Sequence, residues 1–137
     1  MEAQKDKWEP PVGEKIKINF DGAAGPRGFV CRVIARDKEA KMQGCQNRTI
    51  DYCTTIEAEA ASALLAMELG VSIRFRDIVL EGDSLNVINA LKYKHHNTNW
   101  RIQNTISRIR DELRHFNYVE FRYIKKNAND VAHILQL

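Results

Sequence analysis

The stretch from Phe75 to Ser84 most constrains what this chain can fold into. Ile78-Val-Leu is short and apolar, and it feeds straight into Glu81-Gly-Asp83-Ser84. Helical patterns flank it on both sides. An apolar run of this length between two helices suits a parallel strand at the centre of a sheet. Chemistry in α/β sheets collects at the carboxyl ends of such strands, and Asp83 stands at this one. Asp83 can equally serve as the N-cap of the following helix, and the stretch by itself leaves both roles open.

A second carboxylate ends a second strand. Lys15 to Phe20 alternates Ile16, Ile18 and Phe20 with Lys15, Lys17 and Asn19, which predicts a strand with one buried face. Asp21 follows, then a loop over Gly22 to Pro26. Gly28 to Ala35 predicts another strand, Arg36 to Glu39 a polar turn, and Ala40 to Gln46 a third strand. Short turns between the three imply an antiparallel meander.

After a connection over residues 47–53, Thr54-Thr-Ile-Glu57 fits a capping box, with Glu57 reaching back to Thr54. The helix runs to about Ile73, with Gly70 inside it. At 100° per residue, Glu59 falls among Ile56, Ala63, Ala66, Met67 and Gly70. It is an acid on an apolar, small-residue face, which is costly unless a cation meets it. A buried pair with an Arg, or a partly exposed helix start, would also accommodate it.

Ser84 to Tyr93 predicts a helix, and Lys92 to Thr98 a basic loop holding His95 and His96. These two are adjacent, so their side chains would diverge on a helix and are not expected to share a metal. Asn99 to Phe116 predicts a helix with Trp100, Gln103, Ile106, Ile109 and Leu113 inward. Tyr118 to Ile124 is the fifth strand, Lys125 to Asn129 a basic loop, and a last helix starts at Asp130. The order β-β-β-α-β-α-α-β-α predicts an α/β fold. Its five-stranded mixed sheet has three antiparallel strands, then parallel ones, with helices on both faces.

The 137 residues suit one domain with one core. Residues 1–14 read as an arm or linker and residues 15–137 as the domain. No apolar run approaches a membrane span, and the N-terminus lacks a secretory h-region. Three cysteines without a C-x-x-C spacing argue against zinc or a disulfide framework. An intracellular protein, nuclear or cytoplasmic and monomeric, is expected. Net charge is +3, but nine Lys and Arg stand against four Asp and Glu from Ser84 onward. Basic residues around an acidic centre suit a polyanion handled at a metal.

Four motifs in this order resemble type 1 ribonuclease H, in particular the plant ribonuclease H-like domains associated with retrotransposon reverse transcriptases. They are Ile18-Asn-Phe-Asp21-Gly-Ala, Glu57-Ala-Glu59-Ala, Val79-Leu-Glu-Gly-Asp83-Ser-Leu-Asn-Val-Ile, and Asn127-Ala-Asn-Asp-Val-Ala-His133. The similarity spans about residues 8–137. It implies a ribonuclease H-like fold with Asp21, Glu59 and Asp83 as catalytic acids and metal ligands. The 24 residues from Glu59 to Asp83 fit the family, and the 26 from Glu57 do not. His133 stands where the family's fourth acid would be, a change shared by plant relatives of this type. The loop over Lys125 to Asn129 lacks the histidine that nuclease members carry there, and the loop after Asp21 is short.

The resemblance implies hydrolysis of the RNA strand of RNA–DNA hybrids with two Mg²⁺ or Mn²⁺ ions and no small-molecule cofactor. Asp21 would bridge the ions, and His133 would ligate the second weakly or shuttle a proton. Thr54, Lys92, Lys94, Arg101, Lys125 and Lys126 are expected phosphate contacts, without sequence specificity. Asn129 is expected to cap the last helix or to order the site, the cap being the favoured role. A binding module that has lost efficient turnover is the alternative. An exonuclease or transposase on the same fold is disfavoured by the Asn-x-x-Ala-His ending.

Overall fold

Ile18 and Leu80 lie side by side at the middle of the sheet, fully buried. The computed structural model describes residues 7–51, 53–94, 98–129 and 131. The strands are β1 (Ile16–Gly25), β2 (Gly28–Arg36), β3 (Met42–Ile50), β4 (Asp77–Gly82) and β5 (Tyr118–Tyr123). The α-helices are α1 (Thr55–Ile73), α2 (Leu85–Lys92) and α3 (Gln103–Glu112). The five strands form one sheet in the order β3-β2-β1-β4-β5. β1, β2 and β3 pair antiparallel, while β4 pairs parallel with both β1 and β5. The mixed sheet expected from the element order is therefore present.

One face of the sheet holds Ile18, Phe20, Val33, Ile78 and Leu80. α1, α2 and α3 share this core through Leu65, Met67, Val87, Ile88, Ile106 and Ile109. Ala58, Ala60, Ala63 and Ala66 are all buried, which lets α1 sit close to β1. Its start is the predicted capping box. Glu57 N–H donates to Thr54 Oγ1 at 3.3 Å, and Thr54 N–H donates to Glu57 Oε1 at 3.1 Å.

Several boundaries differ from those expected. β1 does not stop at Phe20 but runs on to Gly25, and the predicted loop is a tight hairpin pairing Gly25 with Gly28. The reason is β2, which keeps supplying an antiparallel ladder after β4 has ended at Gly82. β3 begins at Met42 and continues to Ile50, through residues expected to be a connection. Asp37 Oδ1 accepts from Glu39 N–H and Lys41 N–H at 2.9 and 3.0 Å, holding the preceding turn closed and delaying the strand.

The predicted long helix after Asn99 is broken. A 3₁₀ turn over Trp100–Ile102 precedes α3, and another over Leu113–His115 follows it. Asn99 Oδ1 accepts from Arg101 N–H at 2.9 Å and starts the first turn. A 3₁₀ turn winds faster than an α-helix, so the inward residues are Ile102, Ile106 and Ile109. Trp100, expected inside, is 72% exposed, and Gln103 is also exposed.

The other face of the sheet is not the solvated one that the alternation of β1 predicts. Lys17 and Asn19 are 1% and 0% exposed. Trp8 and Asn129 both hydrogen-bond onto this face, and Pro11 is buried as well. The last helix expected from Asp130 lies outside the described residues apart from Val131, which is buried. Among the described residues, no helix is long and apolar enough to cross a membrane.

Candidate active site

Asp21, Glu59 and Asp83 come from three different elements. Asp21 lies on β1 one residue beyond Phe20, whose partner Gly82 ends β4. Asp83 follows Gly82 directly. A β-carbon at Gly82 would fall 2.3 Å from the Phe20 ring, so only glycine lets β4 end against β1 here. Glu59 is set by the approach of α1. A β-carbon at Gly22 would meet Ser62 Oγ at 3.0 Å and the Ala58 carbonyl oxygen at 3.1 Å. The helix therefore touches β1 beside Asp21, one residue from Glu59.

The two roles left open for Asp83 are separated by its neighbour. Ser84 is the N-cap of α2, its Oγ accepting from Val87 N–H at 3.4 Å. Glu57, for its part, is held by the capping box of α1.

The three acids feel one another. Burial, followed by the charge of Asp83, pushes the Asp21 carboxyl above the ordinary carboxylate range. Burial also pushes Glu59 up, opposed by a hydrogen bond from Ser84, with Asp83 and Asp21 adding to the rise. Lys126 opposes the rise in both, and Arg32 opposes it in Asp21. Repelling, partly desolvated carboxylates favour either a proton or a cation. Among the described residues, no three His, Cys, Asp or Glu side chains are already gathered onto one cation position. The donor set itself is all oxygen, which fits a hard divalent ion such as Mg²⁺ or Mn²⁺ that keeps several water ligands.

Asn129 orders this cluster. Its Nδ2 donates to the Phe20 carbonyl at 2.9 Å and to Asp83 Oδ2 at 3.1 Å, and its Oδ1 accepts from Asn19 Nδ2 at 3.2 Å. The amide clamps Asp83 to β1, the ordering role expected of it; the helix that it was also expected to cap lies outside the described residues. Asn129 is itself buried.

The remaining predicted residues fall into separate groups. Thr54 Oγ1 donates to Glu57 Oε1 at 2.8 Å, and Arg101 Nη1 lies 4.0 Å from the same oxygen. The Arg101 guanidinium also stacks 4.6 Å from the centre of the Trp100 ring. Lys92 ends α2 with its ammonium 6.0 Å from the Tyr93 ring centre, and Lys94 is exposed just after it. Lys125 is half-buried and Lys126 exposed, in the loop after β5. Among these cations, Lys126 carries a charge that reaches Asp21 and Glu59. His133, and the pair His95 and His96, lie outside the described residues.

Sequence reasoning passed over Arg32, Ser84, Asn19 and Trp8. Arg32 pairs with Asp21 across the hairpin, which the facing glycines Gly25 and Gly28 could have indicated. Ser84 is the cap of α2 as well as the partner of Glu59. Nothing in the local pattern distinguishes Asn19 from a solvated strand residue.

Comparisons agree with this geometry. The family described as Reverse transcriptase-like matches residues 19–136. Among solved structures, ribonuclease H1 of the archaeon Halobacterium salinarum superposes with a TM-score of 0.79 at 22% identity, over 88% of this chain and 93% of that one. The N-terminal RNase H domain of a Mycobacterium tuberculosis protein gives 0.77 at 12% identity, over 85% and 86%. LC11-RNase H1, isolated from compost and solved in complex with an RNA/DNA hybrid, gives 0.72 at 15% identity, over 88% and 99%. No curated protein matches the chain in sequence.

Proposed function

Because the chain belongs to the Reverse transcriptase-like family and has a ribonuclease H-like fold, we propose that it is a metal-dependent endonuclease that hydrolyses the RNA strand of RNA–DNA hybrids. The observation that carries this reading is the placement of Asp21, Glu59 and Asp83 within electrostatic reach of one another, with burial and these acidic neighbours raising the pKa of Asp21 and of Glu59. Acids held that way are poised to take a divalent cation in place of protons.

Asp21, Glu59 and Asp83 would hold the metal, with His133 toward a second ion. Bound divalent ions supply an activated water and neutralise the leaving oxyanion of phosphodiester hydrolysis. The protein's own part is positional. Asn129 fixes the Asp83 carboxylate, Ser84 fixes Glu59, and the β1–β2 ladder fixes Asp21 opposite Arg32. Lys126, beside the acids, is suited to a phosphate flanking the scissile one. Arg101, Lys92 and Lys94 lie farther out, where a second strand's backbone would run, and the 2′-hydroxyls of RNA would distinguish the strand to be cut. One of the similar structures holds an RNA/DNA hybrid, which supports the substrate class.

His133 favours a second reading, a hybrid-binding module with little turnover, since a neutral ligand removes one negative charge from the site. Cleavage of an end-labelled RNA–DNA hybrid in Mg²⁺ and in Mn²⁺, with Asp21→Asn alongside, separates the two. RNA-strand products that vanish in the variant support the nuclease. Salt-sensitive hybrid binding without products in either metal supports the module.

A further inference from the structure

The face of the sheet opposite α1, α2 and α3 carries a chain of polar groups that ends at Asp83. It begins at Trp8, whose indole Nε1–H donates to Asn19 Oδ1 at 2.8 Å. Arg36 Nη2 donates to the same oxygen at 3.4 Å. Asn19 Nδ2 in turn donates to Glu81 Oε1 at 2.9 Å and to Asn129 Oδ1 at 3.2 Å. Asn129 Nδ2 then donates to Asp83 Oδ2.

The polarity of this chain is fixed at its two amides. Asn19 has two donors on its oxygen and two acceptors on its nitrogen, so its amide has one orientation. Flipped, it would set NH₂ against two donors and oxygen against two acceptors. That orientation presents a donor to Asn129 Oδ1, and together with the Phe20 carbonyl, which accepts from Asn129 Nδ2 at 2.9 Å, it holds the Asn129 NH₂ toward Asp83. The N-terminal segment is held in place to do this. The Arg36 guanidinium stacks 3.8 Å from the Trp8 ring centre, and Lys17 Nζ donates to the Glu9 carbonyl at 2.6 Å.

We propose that Trp8 and Asn19 are positioning residues for Asp83, so that the segment before β1 is a working part of the catalytic site. Trp8 lies outside residues 19–136 that match the family. The proposal rests on Asp83 being one of the acids of the nuclease inferred above. Partners one step removed from metal-ligating side chains orient them, and losing one typically costs roughly tenfold or more in activity; Asn129 is that partner, with Asn19 and then Trp8 behind it.

The test uses the full chain with Trp8→Phe, which keeps a ring beneath Arg36 and removes only the N–H. Ile106→Ala, in the core of α3 and remote from the chain of amides, controls for lost stability. Two quantities are read: kcat and KM on a hybrid, and the water-exchange rate of the Asn129 side-chain amide protons by NMR. The expected result for Trp8→Phe is a lower kcat, by up to about tenfold, little change in KM, and faster exchange at Asn129. Ile106→Ala should leave all three near wild type. Unchanged exchange at Asn129, an unchanged kcat, or an equal loss in Ile106→Ala would each overturn the proposal. Should the wild type cut no hybrid, the nuclease reading falls by itself, and exchange at Asn129 still decides whether the relay exists.

Discussion

Gly22 faces the Ala58 carbonyl at close range, a β-carbon there lying 3.1 Å from that oxygen. The contact sets how near α1 comes to β1, and hence how near Glu59 comes to Asp21. Gly22→Ala would require the facing helix to give by a few tenths of an ångström. Overpacking of this kind costs about 1–3 kcal/mol, measurable by urea unfolding. Hybrid cleavage is expected to fall by more than the folded fraction does, because Glu59 moves with the helix. Full activity in a destabilised Gly22→Ala would show that the Asp21–Glu59 separation is not critical.

Lys17 Nζ lies 3.3 Å from Glu81 Oε2, with both side chains shut away from solvent. Burial lowers the Lys17 pKa, partly countered by Glu81. Breaking such a pair from one side strands the other charge and costs about 3–5 kcal/mol. Lys17→Met should therefore unfold well before wild type. Lys17→Met combined with Glu81→Leu should recover much of the loss. A double variant no better than the single would mean that Glu81 matters chiefly through its bond from Asn19.

The alternation in β1 and the apolar run in β4 were enough to read the sheet, and the capping box gave the start of α1 to the residue. Glu59 was separable from Glu57 because one face of that helix is made of small residues. What could not be read was burial from the far side. Lys17 and Asn19 look like the solvated half of a strand, and their burial depends on Trp8, nine and eleven residues upstream, and on Asn129, at the other end of the domain. Long-range cover leaves no local periodicity. The exposed Trp100 was missed for a different reason, since a wheel drawn through a 3₁₀ turn carries the wrong angle past it.

Asp21→Asn should raise thermal stability in the absence of divalent ions. The folded carboxyl titrates above its ordinary value because of burial and Asp83. Below the unfolded carboxylate pKa, Asp21 is neutral in both states and costs nothing. As pH rises through the raised folded pKa, its charge weakens the fold. Asparagine removes that penalty, so the gain in Tm should be full near about pH 8 and shrink toward about pH 4. A gain independent of pH would assign the effect to packing.

Lys126 lowers the pKa of both Asp21 and Glu59. Lys126→Ala should let both rise further, moving the acid limb of the cleavage profile to higher pH. The same variant should flatten the logarithmic dependence of hybrid affinity on salt by about one, the loss of one phosphate contact. An unmoved acid limb with a reduced salt slope would leave Lys126 a substrate contact and no more.

Trp100 and Arg101 form an exposed stack that contributes little to the fold, since the indole is 72% open to solvent. Trp100→Ala is expected to change stability by no more than about 0.5 kcal/mol. If a nucleic-acid strand runs along this turn, both residues contribute to its affinity in different ways. Arg101→Ala should weaken binding and reduce the salt slope by about one. Trp100→Ala should weaken binding without changing the slope, because an indole displaces no counterion. Arg101→Ala also frees Glu57, 4.0 Å away, so Arg101→Lys is the better control for charge alone. Binding and slope unchanged in all three variants would confine the substrate to the side of the site held by Lys126, and the turn before α3 would have no part in its recognition.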